Sequence, residues 1–570
     1  MKGVKKPLGA YNKLVFWSNI NLFISHQLSF KHKRLIFALI SGAFFSLSSP
    51  SFAYGAMTWL SLTAWISLIP LCILLKSSRD WKQASIEAGI FFLTNYLILF
   101  SWLTTLHPLD WQGLDTFTSL CISGLAWLVP SVAHSLVGLG FALVLRMFHI
   151  RKKHLGDRSL EFSFFELLLI ALVWVILQHK LILNSGALGI FFVPTHLLAY
   201  SQYSNLAIIQ VCNIIGAIGL EFIIVLVNLF LANFLYIRPL NPHHRPQYNK
   251  WNLKQNQLHI DNHLKHILNA LCVILILGSA LSYGLSELKA PNTKPNQISV
   301  KLVQALHSAA ETRGHNLSAQ DLFNKQYQLS KEDLSKVDLL IWSEGSIPDP
   351  SYVKANNYAL SKLANNFVFG TYNQKQGQIY NSAASYQPRT QSLNYYDKQK
   401  LVPFGEYTPG YNLLPSVLQN LASSSIGSGF DAAGSDQDLL SIKSKAKMLY
   451  DLQEQKLLDQ EQDIKFATLI CFELLFPDLV RQEVSKGAEF IVNLNDLSWF
   501  KWGTIKRSFR AVGVLRAVET SKDLLMVSNA GNSAHINSSG QLKSLDSKVG
   551  SLNSKLNTQI KPSLFTNYGW

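Results

Sequence analysis

Long apolar stretches crowd the first half of this chain and constrain its fold more than any other feature. Seven of them approach or exceed the roughly 18 to 20 residues that an apolar helix needs to cross a bilayer. They cover residues 35–53, 56–75, 85–106, 117–145, 162–179, 205–236 and 267–285. The fourth contains Pro130, which predicts a kink or tilt. The sequence therefore predicts a polytopic α-helical membrane domain of about seven helices over residues 35–287.

Basic residues alternate between the short loops and predict the orientation of these helices. Positive loops favour the cytoplasmic side. The tail of residues 1–34 carries Lys and Arg but no acidic residue, and basic clusters follow the second, fourth and sixth stretches, at Lys76–Lys82, Arg146–Lys153 and Arg238–Lys254. The other loops carry Asp110 and Asp115 or are apolar. We therefore expect a cytoplasmic tail and an extracytoplasmic position for everything after residue 287.

The net charge of +16 raises the question of a nucleic-acid partner. Much of this charge belongs to the tail and the cytoplasmic loops, where attraction to anionic lipid accounts for it. A signal peptide is also considered, because Ser51 and Ala53 resemble a cleavage site, but a basic tail of 34 residues is too long for one. We expect a membrane partner and no nucleic acid.

The five cysteines divide between the two halves of the chain. Four of them, Cys72, Cys121, Cys212 and Cys272, lie in predicted spans, where a small apolar residue needs no further explanation. Cys471 stands alone in the outer half. A structural disulfide needs a second cysteine, so Cys471 is either a buried core residue or a free reactive thiol. The cysteine pattern leaves both possibilities open.

After a linker at residues 288–297, apolar strand patterns alternate with helical patterns over residues 298–565, which predicts a layered α/β domain. Asn537 to Gly540 reads as a hairpin turn. Residues 423–462 are rich in Ser, Gly, Asp, Gln and Lys without an apolar period, and we expect a flexible insertion there. Predicted strands cover 298–305, 337–342, 366–372, 379–386, 466–471, 490–494 and 524–529, and predicted helices cover 318–333, 351–365, 475–485 and 505–520.

Three segments place a reactive residue where a buried strand ends: Leu340–Pro348 with Glu344, Tyr396–Tyr407 with Lys398 and Glu406, and Thr468–Glu473 with Cys471. Strand ends commonly converge on the site of an α/β fold. A thiol, a carboxylate base and a fixed ammonium suit covalent acyl transfer, because they supply the nucleophile, the proton carrier and the charge opposite an oxyanion. We find no metal-ligand spacing, no phosphate-binding Gly loop and no G-x-S-x-G elbow, so neither a metal nor a cofactor is expected.

Each residue also has an ordinary explanation. Taken alone, Glu344 is better explained as a solvated loop carboxylate and Lys398 as surface charge, while Cys471 is also explained as core packing and Glu406 as a turn cap. Two other classes of protein remain open at this point. One is a membrane-tethered amidase or nitrilase, in which water resolves the acyl-enzyme. The other is a transporter or scaffold, which the few charged residues within the spans disfavour.

The same three segments resemble the apolipoprotein N-acyltransferase family of the nitrilase superfamily. Trp342–Pro348 resembles W-P-E-[ST]-x-I-P, Lys398–Glu406 resembles K-x-H-L-V-P-F-G-E, and Ile470–Glu473 resembles I-C-Y-E. The pairs Ser49-Pro50, Asn495-Asp496 and Trp499-Phe500 also fit. This sequence departs from the family pattern with Ser343 for Pro, Lys400 for His and Phe472 for Tyr, and it ends at Trp570, whereas the family usually carries one more membrane helix.

The resemblance implies an extracytoplasmic nitrilase-like α-β-β-α domain on a bacterial inner membrane, facing the periplasm. It implies Cys471 as nucleophile, Glu344 as general base and acid, and Lys398 as stabiliser of the tetrahedral intermediate, with Glu406 orienting the site and Phe472 and Glu473 lining the pocket. The family's reaction moves a fatty acyl chain from a phospholipid, through a Cys thioester, to the α-amine of a lipoprotein's diacylglyceryl cysteine. The apolar segment Ala187–Tyr203 and the aromatics Trp499, Phe500 and Trp502 are expected either to guide lipid tails or to anchor the protein at the interface.

Overall fold

The structure is a computed structural model that describes most of the chain outside the N-terminal tail. The described residues are 31–154, 162–184, 186–235, 253–289, 296–308, 317–331, 335–411, 432–445, 449–451, 456–458, 461–558 and 560–569, with Glu311 and Gln419. Most of the predicted tail, much of the predicted linker and part of the predicted insertion lie outside these residues.

The described part of the first half contains six helical segments that are long and apolar enough to cross a membrane. They are Gly55–Ser77, Trp81–Leu106, Thr116–Lys152, Phe164–Leu183, Cys212–Leu235 and Ile267–Lys289. Large apolar side chains remain exposed along them, including Leu62, Leu125, Leu136, Ile176 and Leu275. Because soluble proteins rarely expose such continuous apolar surface, this belt indicates that the bundle lies in lipid.

The first predicted span is shorter in the structure than the sequence suggests. The helix α1 covers Lys31–Ser46, which is 16 residues, and turns replace it before residue 53. Pro50 cannot continue a helix, and the Ser48 hydroxyl bonds back to the carbonyl of Phe45 at 2.6 Å. The predicted end of this span at residue 53 is therefore wrong by seven residues.

The bundle is built from helices whose boundaries differ from the apolar stretches in detail. The α-helices are Lys31–Ser46, Ile69–Ser77, Trp81–Leu99, Thr116–His154, Phe164–Leu177, Leu206–Ile209, Cys212–Leu235 and Leu253–Lys289. The 3-10 segments Gly55–Trp65, Ser101–Leu106, Asp110–Gln112, Gly186–Phe191 and Leu198–Ser204 and the π-helix Gln178–Leu183 connect or extend them. Gly216 interrupts Cys212–Leu235 with a φ of 66°.

One end of the bundle is rich in arginine. Arg34 pairs with Glu87 at 2.5 Å, and Arg146 donates to the backbone carbonyls of Leu75 and Ser78. These residues lie at the ends of α1 and of the next three membrane segments. We call this end the basic face.

The second half forms two six-stranded sheets. The first has the order β14-β1-β2-β3-β4-β5 and the second has the order β13-β12-β11-β10-β9-β6. The strands β1, β2 and β3 are parallel, as are β9, β10 and β11. The bounds are β1 Asn296–Gln304, β2 Val337–Ile341, β3 Ala364–Lys375, β4 Gln378–Gln387, β5 Ser392–Asp397, β6 Leu440–Lys445, β7 Leu449–Asp451, β8 Lys456–Leu458, β9 Glu461–Ile470, β10 Phe490–Asn495, β11 Leu524–Ser528, β12 Ala534–Ile536, β13 Leu542–Ser544 and β14 Gly550–Thr558.

Apolar side chains of the two sheets pack face to face, with Val300, Ile341 and Val368 of one sheet against Phe466 and Val492 of the other. Helices cover both outer faces, which gives the α-β-β-α layers that the resemblance implied. Ala319–Ser330, Ser351–Ala355 and Asn357–Leu363 lie beside the first sheet, Pro477–Ser485 and Gly503–Thr520 lie beside the second, and Leu564–Tyr568 follows β14. The hairpin turn at Asn537–Gly540 is confirmed, with the Gly540 N–H donating to the Asn537 carbonyl at 2.8 Å.

The predicted insertion at 423–462 is wrong in part. Residues 440–445 form β6, which pairs antiparallel with β9, and Leu440 and Ile442 are buried between the sheets. The sequence hides this strand because its outward positions are Ser and Lys, so only two apolar residues mark it. The remaining insertion includes the short hairpin of β7 and β8, and its other residues lie outside the described part.

The second half of the chain contacts the end of the bundle opposite the basic face. The Glu519 carboxylate, on the helix Gly503–Thr520, accepts from the Ala217 N–H at 2.5 Å, directly after the Gly216 break. Arg516 donates to the Tyr200 hydroxyl at 2.7 Å. The N-terminus of a helix favours a carboxylate. Glu519 therefore caps the part of the helix Cys212–Leu235 that begins after Gly216, and it links the second half of the chain to the bundle.

The segment Leu198–Ser204 lies within this interface and is buried from Leu198 to Tyr203. The Tyr203 hydroxyl donates to the Ala53 carbonyl at 2.9 Å. This part of the apolar segment Ala187–Tyr203 therefore packs inside the protein, and the expected role of guiding lipid tails does not apply to it.

Candidate active site

The structure brings Glu344, Lys398, Glu406 and Cys471 together at the carboxyl ends of the strands. Glu344 follows β2, Lys398 follows β5 and Cys471 follows β9, while Glu406 lies in the turn that follows Lys398. The side chains of Glu344, Lys398 and Glu406 are buried, with at most 6 % of each exposed. The two sheets thus supply opposite walls of one site, as parallel strand ends do in other α/β folds.

The ammonium of Lys398 lies between two carboxylates. Its Nζ is 2.7 Å from Glu406 Oε1 and 3.6 Å from Glu344 Oε1. Burial opposes the charge on Lys398, but the two carboxylates outweigh this effect and raise its pKa above the usual range. Lys398 therefore stays protonated and supplies fixed positive charge within the site.

Two hydrogen bonds hold the Glu344 carboxylate. Its Oε2 accepts from the Asp496 backbone N–H at 2.7 Å, and its Oε1 accepts from Asn381 Nδ2 at 2.8 Å. Gly370 lies so close that a Cβ there would be 2.5 Å from the Cα of Glu344, which explains a glycine at this position of β3. Burial raises the pKa of Glu344; Lys398 opposes this rise and Glu406 reinforces it. A carboxyl group of raised pKa is suited to carry a proton.

Asn381 is a site residue that the sequence did not reveal. Its Nδ2 donates to both Glu344 Oε1 and Glu406 Oε1, each at 2.8 Å, and the residue is 1 % exposed. An Asn inside β4 carries no sequence signal of its own, because polar residues alternate with apolar ones in ordinary strands. Only the crossing of β4 beneath the two carboxylates identifies it.

Cys471 occupies a strained turn directly after β9. Its φ is +50°, a region that non-glycine residues rarely adopt, and the turn continues as the 3-10 helix Cys471–Leu475. The Sγ atom lies 4.0 Å from the carbonyl oxygen of Asp496. Burial raises the pKa of the thiol well above its usual value; Glu344 adds to this rise and Lys398 opposes it. The resting sulfur is therefore a thiol that needs a base.

Glu473 and Phe472 differ in their surroundings. Glu473 is fully buried and accepts from three backbone N–H groups, those of Gln399 at 2.6 Å, Lys400 at 3.1 Å and Ile470 at 2.7 Å. It therefore braces the Lys398 turn against the Cys471 turn, whereas the resemblance implied that it lines the pocket. Burial raises its pKa to about 7. Phe472 is partly exposed and packs edge-on against Phe476 at 5.1 Å.

The loop after Asp496 joins the site to the membrane bundle. Trp499 packs against Trp111 at 5.1 Å between ring centroids, and Phe500 packs against Trp102 at 4.6 Å. Trp502 stays 47 % exposed. The aromatics at 499 and 500 thus contact the bundle, while Trp502 is the one of the three that remains available to the interface.

The arrangement offers a partly buried thiol beside a buried, proton-carrying carboxyl and a buried, permanent ammonium. These groups provide the nucleophile, the general base and acid, and the charge opposite an oxyanion. Among the described residues, no group of three or more His, Cys, Asp or Glu side chains is arranged to hold a metal ion.

Comparison with known proteins gives matches across both halves. Residues 41–230 match the apolipoprotein N-acyltransferase N-terminal domain, and residues 245–547 match the carbon-nitrogen hydrolase family. The apolipoprotein N-acyltransferase of Geobacter metallireducens is 26 % identical over 557 residues, covering 94 % of this chain and 91 % of the relative. That of Rickettsia bellii is 25 % identical over 559 residues, covering 94 % and 93 %.

The solved structure of XC1258 from Xanthomonas campestris, a CN-hydrolase superfamily protein with an arsenic adduct in the active site, is 15 % identical with a TM-score of 0.32. It covers 46 % of this chain and 91 % of its own. The carbon-nitrogen hydrolase match alone spans more than half of the chain, and the N-terminal match accounts for most of the bundle. This chain therefore belongs to the apolipoprotein N-acyltransferase family, the membrane-embedded acyltransferases of the carbon-nitrogen hydrolase superfamily.

Proposed function

We propose that this protein transfers a fatty acyl chain from a membrane phospholipid to the α-amine of a lipoprotein's diacylglyceryl cysteine, through a thioester on Cys471. The observation that carries the proposal is the buried cluster of Glu344, Lys398 and Glu406 beside a neutral thiol on a strained strand-end turn. Family membership supports the two substrates.

In the first half-reaction, the Glu344 carboxylate accepts the Cys471 proton and the thiolate attacks the phospholipid ester carbonyl. The oxyanion of the tetrahedral intermediate is stabilised by the Lys398 ammonium, and the Phe472 backbone N–H is a second donor in this scheme. The ester C–O bond then breaks. Glu344 gives its proton to the leaving alkoxide, so the products are a lysophospholipid and a fatty-acyl thioester.

In the second half-reaction, the neutral α-amine of the acceptor attacks the thioester carbonyl. Glu344 accepts the proton that the nitrogen loses, the C–S bond breaks, and the sulfur leaves as a thiolate. Glu344 then returns the proton to Cys471, which restores the enzyme and releases an amide. Glu406 keeps Lys398 in position through both steps.

We place the catalytic domain on the periplasmic side of a bacterial inner membrane. Two observations support this placement. The loops that contact the catalytic domain, through Ser51, Thr105 and Asn184, are those that the charge pattern predicts to be outside. Arg34, Arg79 and Arg146 lie together at the other end of the bundle, where positive charge favours the cytoplasm.

Mass spectrometry of the purified protein tests the chemistry. With phospholipid and no acceptor, Cys471 should carry a fatty-acyl thioester that hydroxylamine releases, and a diacylglyceryl-cysteine peptide should discharge it as an amide. Cys471→Ala should form no adduct, and Glu344→Gln and Lys398→Ala should slow its formation by about 100-fold or more. Rapid release of free fatty acid without acceptor would instead identify a hydrolase, and activity in Cys471→Ala would defeat the covalent scheme.

A further inference from the structure

Three strand ends of the second sheet lie in a row beside two strand ends of the first. Cys471, Asp496 and Asn529 follow the parallel neighbours β9, β10 and β11. Glu344 and His307 follow the parallel neighbours β2 and β1 on the other wall. The walls meet where the Asp496 N–H donates to Glu344 Oε2 at 2.7 Å and where the His307 N–H donates to the Asn529 carbonyl at 3.0 Å. The site therefore extends beyond Glu344 toward His307 and Asn529.

His307 is the most unusual residue of this extension. It is 3 % exposed, and neither ring nitrogen has a hydrogen-bond partner within the described part of the chain. The preceding Leu306 has a φ of +50°, so the backbone is strained where it turns the imidazole. Burial lowers the pKa of His307 to about 4, with Lys325 adding to the effect while Glu311 and Asp496 oppose it. The ring is therefore neutral, with one donor and one acceptor available.

Asn529 adds a second unused acceptor. Its Nδ2 donates to Asp496 Oδ1 at 2.8 Å, which fixes the orientation of the amide, while its Oδ1 is buried without a partner among the described residues. Buried polar groups are nearly always paired in native proteins. Two neighbouring residues with three unused polar atoms, next to a reaction centre, indicate that a ligand completes them.

The chemistry of these groups selects the kind of ligand. Asn529 Oδ1 and one nitrogen of a neutral imidazole accept hydrogen bonds, and the Asp496 carboxylate adds negative charge beside them. An anionic phosphate headgroup would meet two acceptors and a negative charge against a single ring N–H, whereas an amine or a peptide group, which has an N–H as well as a carbonyl, would meet the partners it needs.

We propose that Asp496, Asn529 and His307 form the subsite for the amino end of the acceptor polypeptide. This assignment rests on the proposed function and deepens it. The acceptor's α-amine approaches Cys471 beside Asp496, and its first peptide groups bond to Asn529 Oδ1 and the His307 ring. Neighbouring strands are about 4.8 Å apart, which sets Asn529 about 10 Å from Cys471, the length of about three extended residues.

The test measures the two half-reactions separately in the full-length protein. His307→Leu keeps the side-chain volume and removes both ring nitrogens. We expect the KM for a diacylglyceryl-cysteine tetrapeptide to rise about tenfold, because hydrogen bonds used only by the acceptor are lost. Formation of the thioester from phospholipid should change much less, and hydroxylamine, which is too small to reach the subsite, should discharge the thioester at the wild-type rate. His307→Gln should recover part of the affinity.

Gln326→Leu is the matched control, because Gln326 is another buried side chain of this domain whose polar atoms have no partner within the described residues. It should leave the KM for the peptide unchanged. A second probe, diacylglyceryl-cysteinamide without further residues, should react equally with wild type and His307→Leu. Asn529→Leu repeats the measurement if His307→Leu does not fold.

Three results would overturn the proposal: equal slowing of hydroxylamine and peptide discharge, a selective loss of thioester formation, or an unchanged KM for the peptide in both variants. The second result would assign this subsite to the phospholipid. Failure of the wild-type protein to form any thioester would instead refute the proposed function, and the two failures are therefore distinguishable.

Discussion

Replacing Asn381 by Ala isolates the contribution of one side chain to the protonation of the Glu344 carboxyl. Asn381 donates to Glu344 and to Glu406 at 2.8 Å each, and all three side chains are buried. A hydrogen bond to a charged group contributes about 1.5 to 3 kcal/mol. The bond to Glu344 favours its ionised form and lowers its pKa against the larger effect of burial, so its loss must raise that pKa further.

Asn381→Ala should also change the pH dependence of thioester formation. Glu344 acts as a base only when ionised, so the rate of thioester formation falls as the pH falls through its pKa. In Asn381→Ala this fall should begin at a higher pH than in the wild type. With tenfold in rate for each 1.4 kcal/mol, the loss of about 1.5 to 3 kcal/mol predicts acylation about 10- to 100-fold slower at pH values below the pKa of Glu344 in the wild type.

Single-turnover acylation, followed by intact-protein mass spectrometry from pH 5 to pH 9, measures both effects. Asn366→Ala is the matched control, since Asn366 is equally buried in the same sheet and its Nδ2 donates to two backbone carbonyls, those of Asp338 and Lys443. It should lower thermal stability and leave the pH profile in place. An Asn381→Ala profile that coincides with the wild type would refute the account of Asn381.

Three further predictions follow from the same cluster. Glu406→Gln removes a negative charge that raises the pKa of Glu344, so the acid limb of the acylation profile should move to lower pH; a shift to higher pH would contradict the assigned electrostatics. Glu473→Gln sets an amide NH₂ against backbone N–H donors, and calorimetry should show the apparent melting temperature lowered by several degrees, whereas an unchanged value would argue against the brace. Gly370→Ala should lower the acylation rate at least about tenfold, because the new methyl group displaces Glu344. Gly503→Ala, whose new methyl group makes only ordinary contacts, should leave the rate unchanged. Equal rates in the two variants would show that the backbone at Glu344 can shift without affecting the reaction.

The joint between the domains gives the site its relation to the membrane. The helix Gly503–Thr520 packs on the second sheet through one face and against the bundle through the other, in one continuous apolar core. Glu519 reaches from this helix to the broken helix at Ala217. The active-site loop also contacts the bundle through Trp499 and Phe500. The membrane half therefore supports the second sheet, which carries Cys471, as well as anchoring it.

The sequence by itself determined the features that depend on short-range patterns. The length of each apolar stretch locates a membrane segment, because a chain segment within lipid must satisfy its own backbone hydrogen bonds as a helix. The alternation of strands and helices predicts the layered domain. Glu344, Lys398 and Cys471 were identified because a reactive residue directly after an apolar strand is a local signal, and the structure places all three in one cluster.

Only the tertiary structure decided which ordinary polar residues belong to that cluster. Asn381 and Asp496 reach Glu344 from segments that are distant in sequence. Asn381 has no local signal, and the resemblance at Asn495-Asp496 does not indicate that Asp496 contacts Glu344. The sequence did not predict β6, because its two inward-facing apolar residues can be recognised as a buried strand face only when β9 is known to pair with it. Glu473 reads as pocket lining in sequence, yet its three backbone partners make it a buried brace. The physical reason is common to all of them: a hydrogen bond or a buried face depends on which chain segments meet, and that depends on the packing of the two sheets.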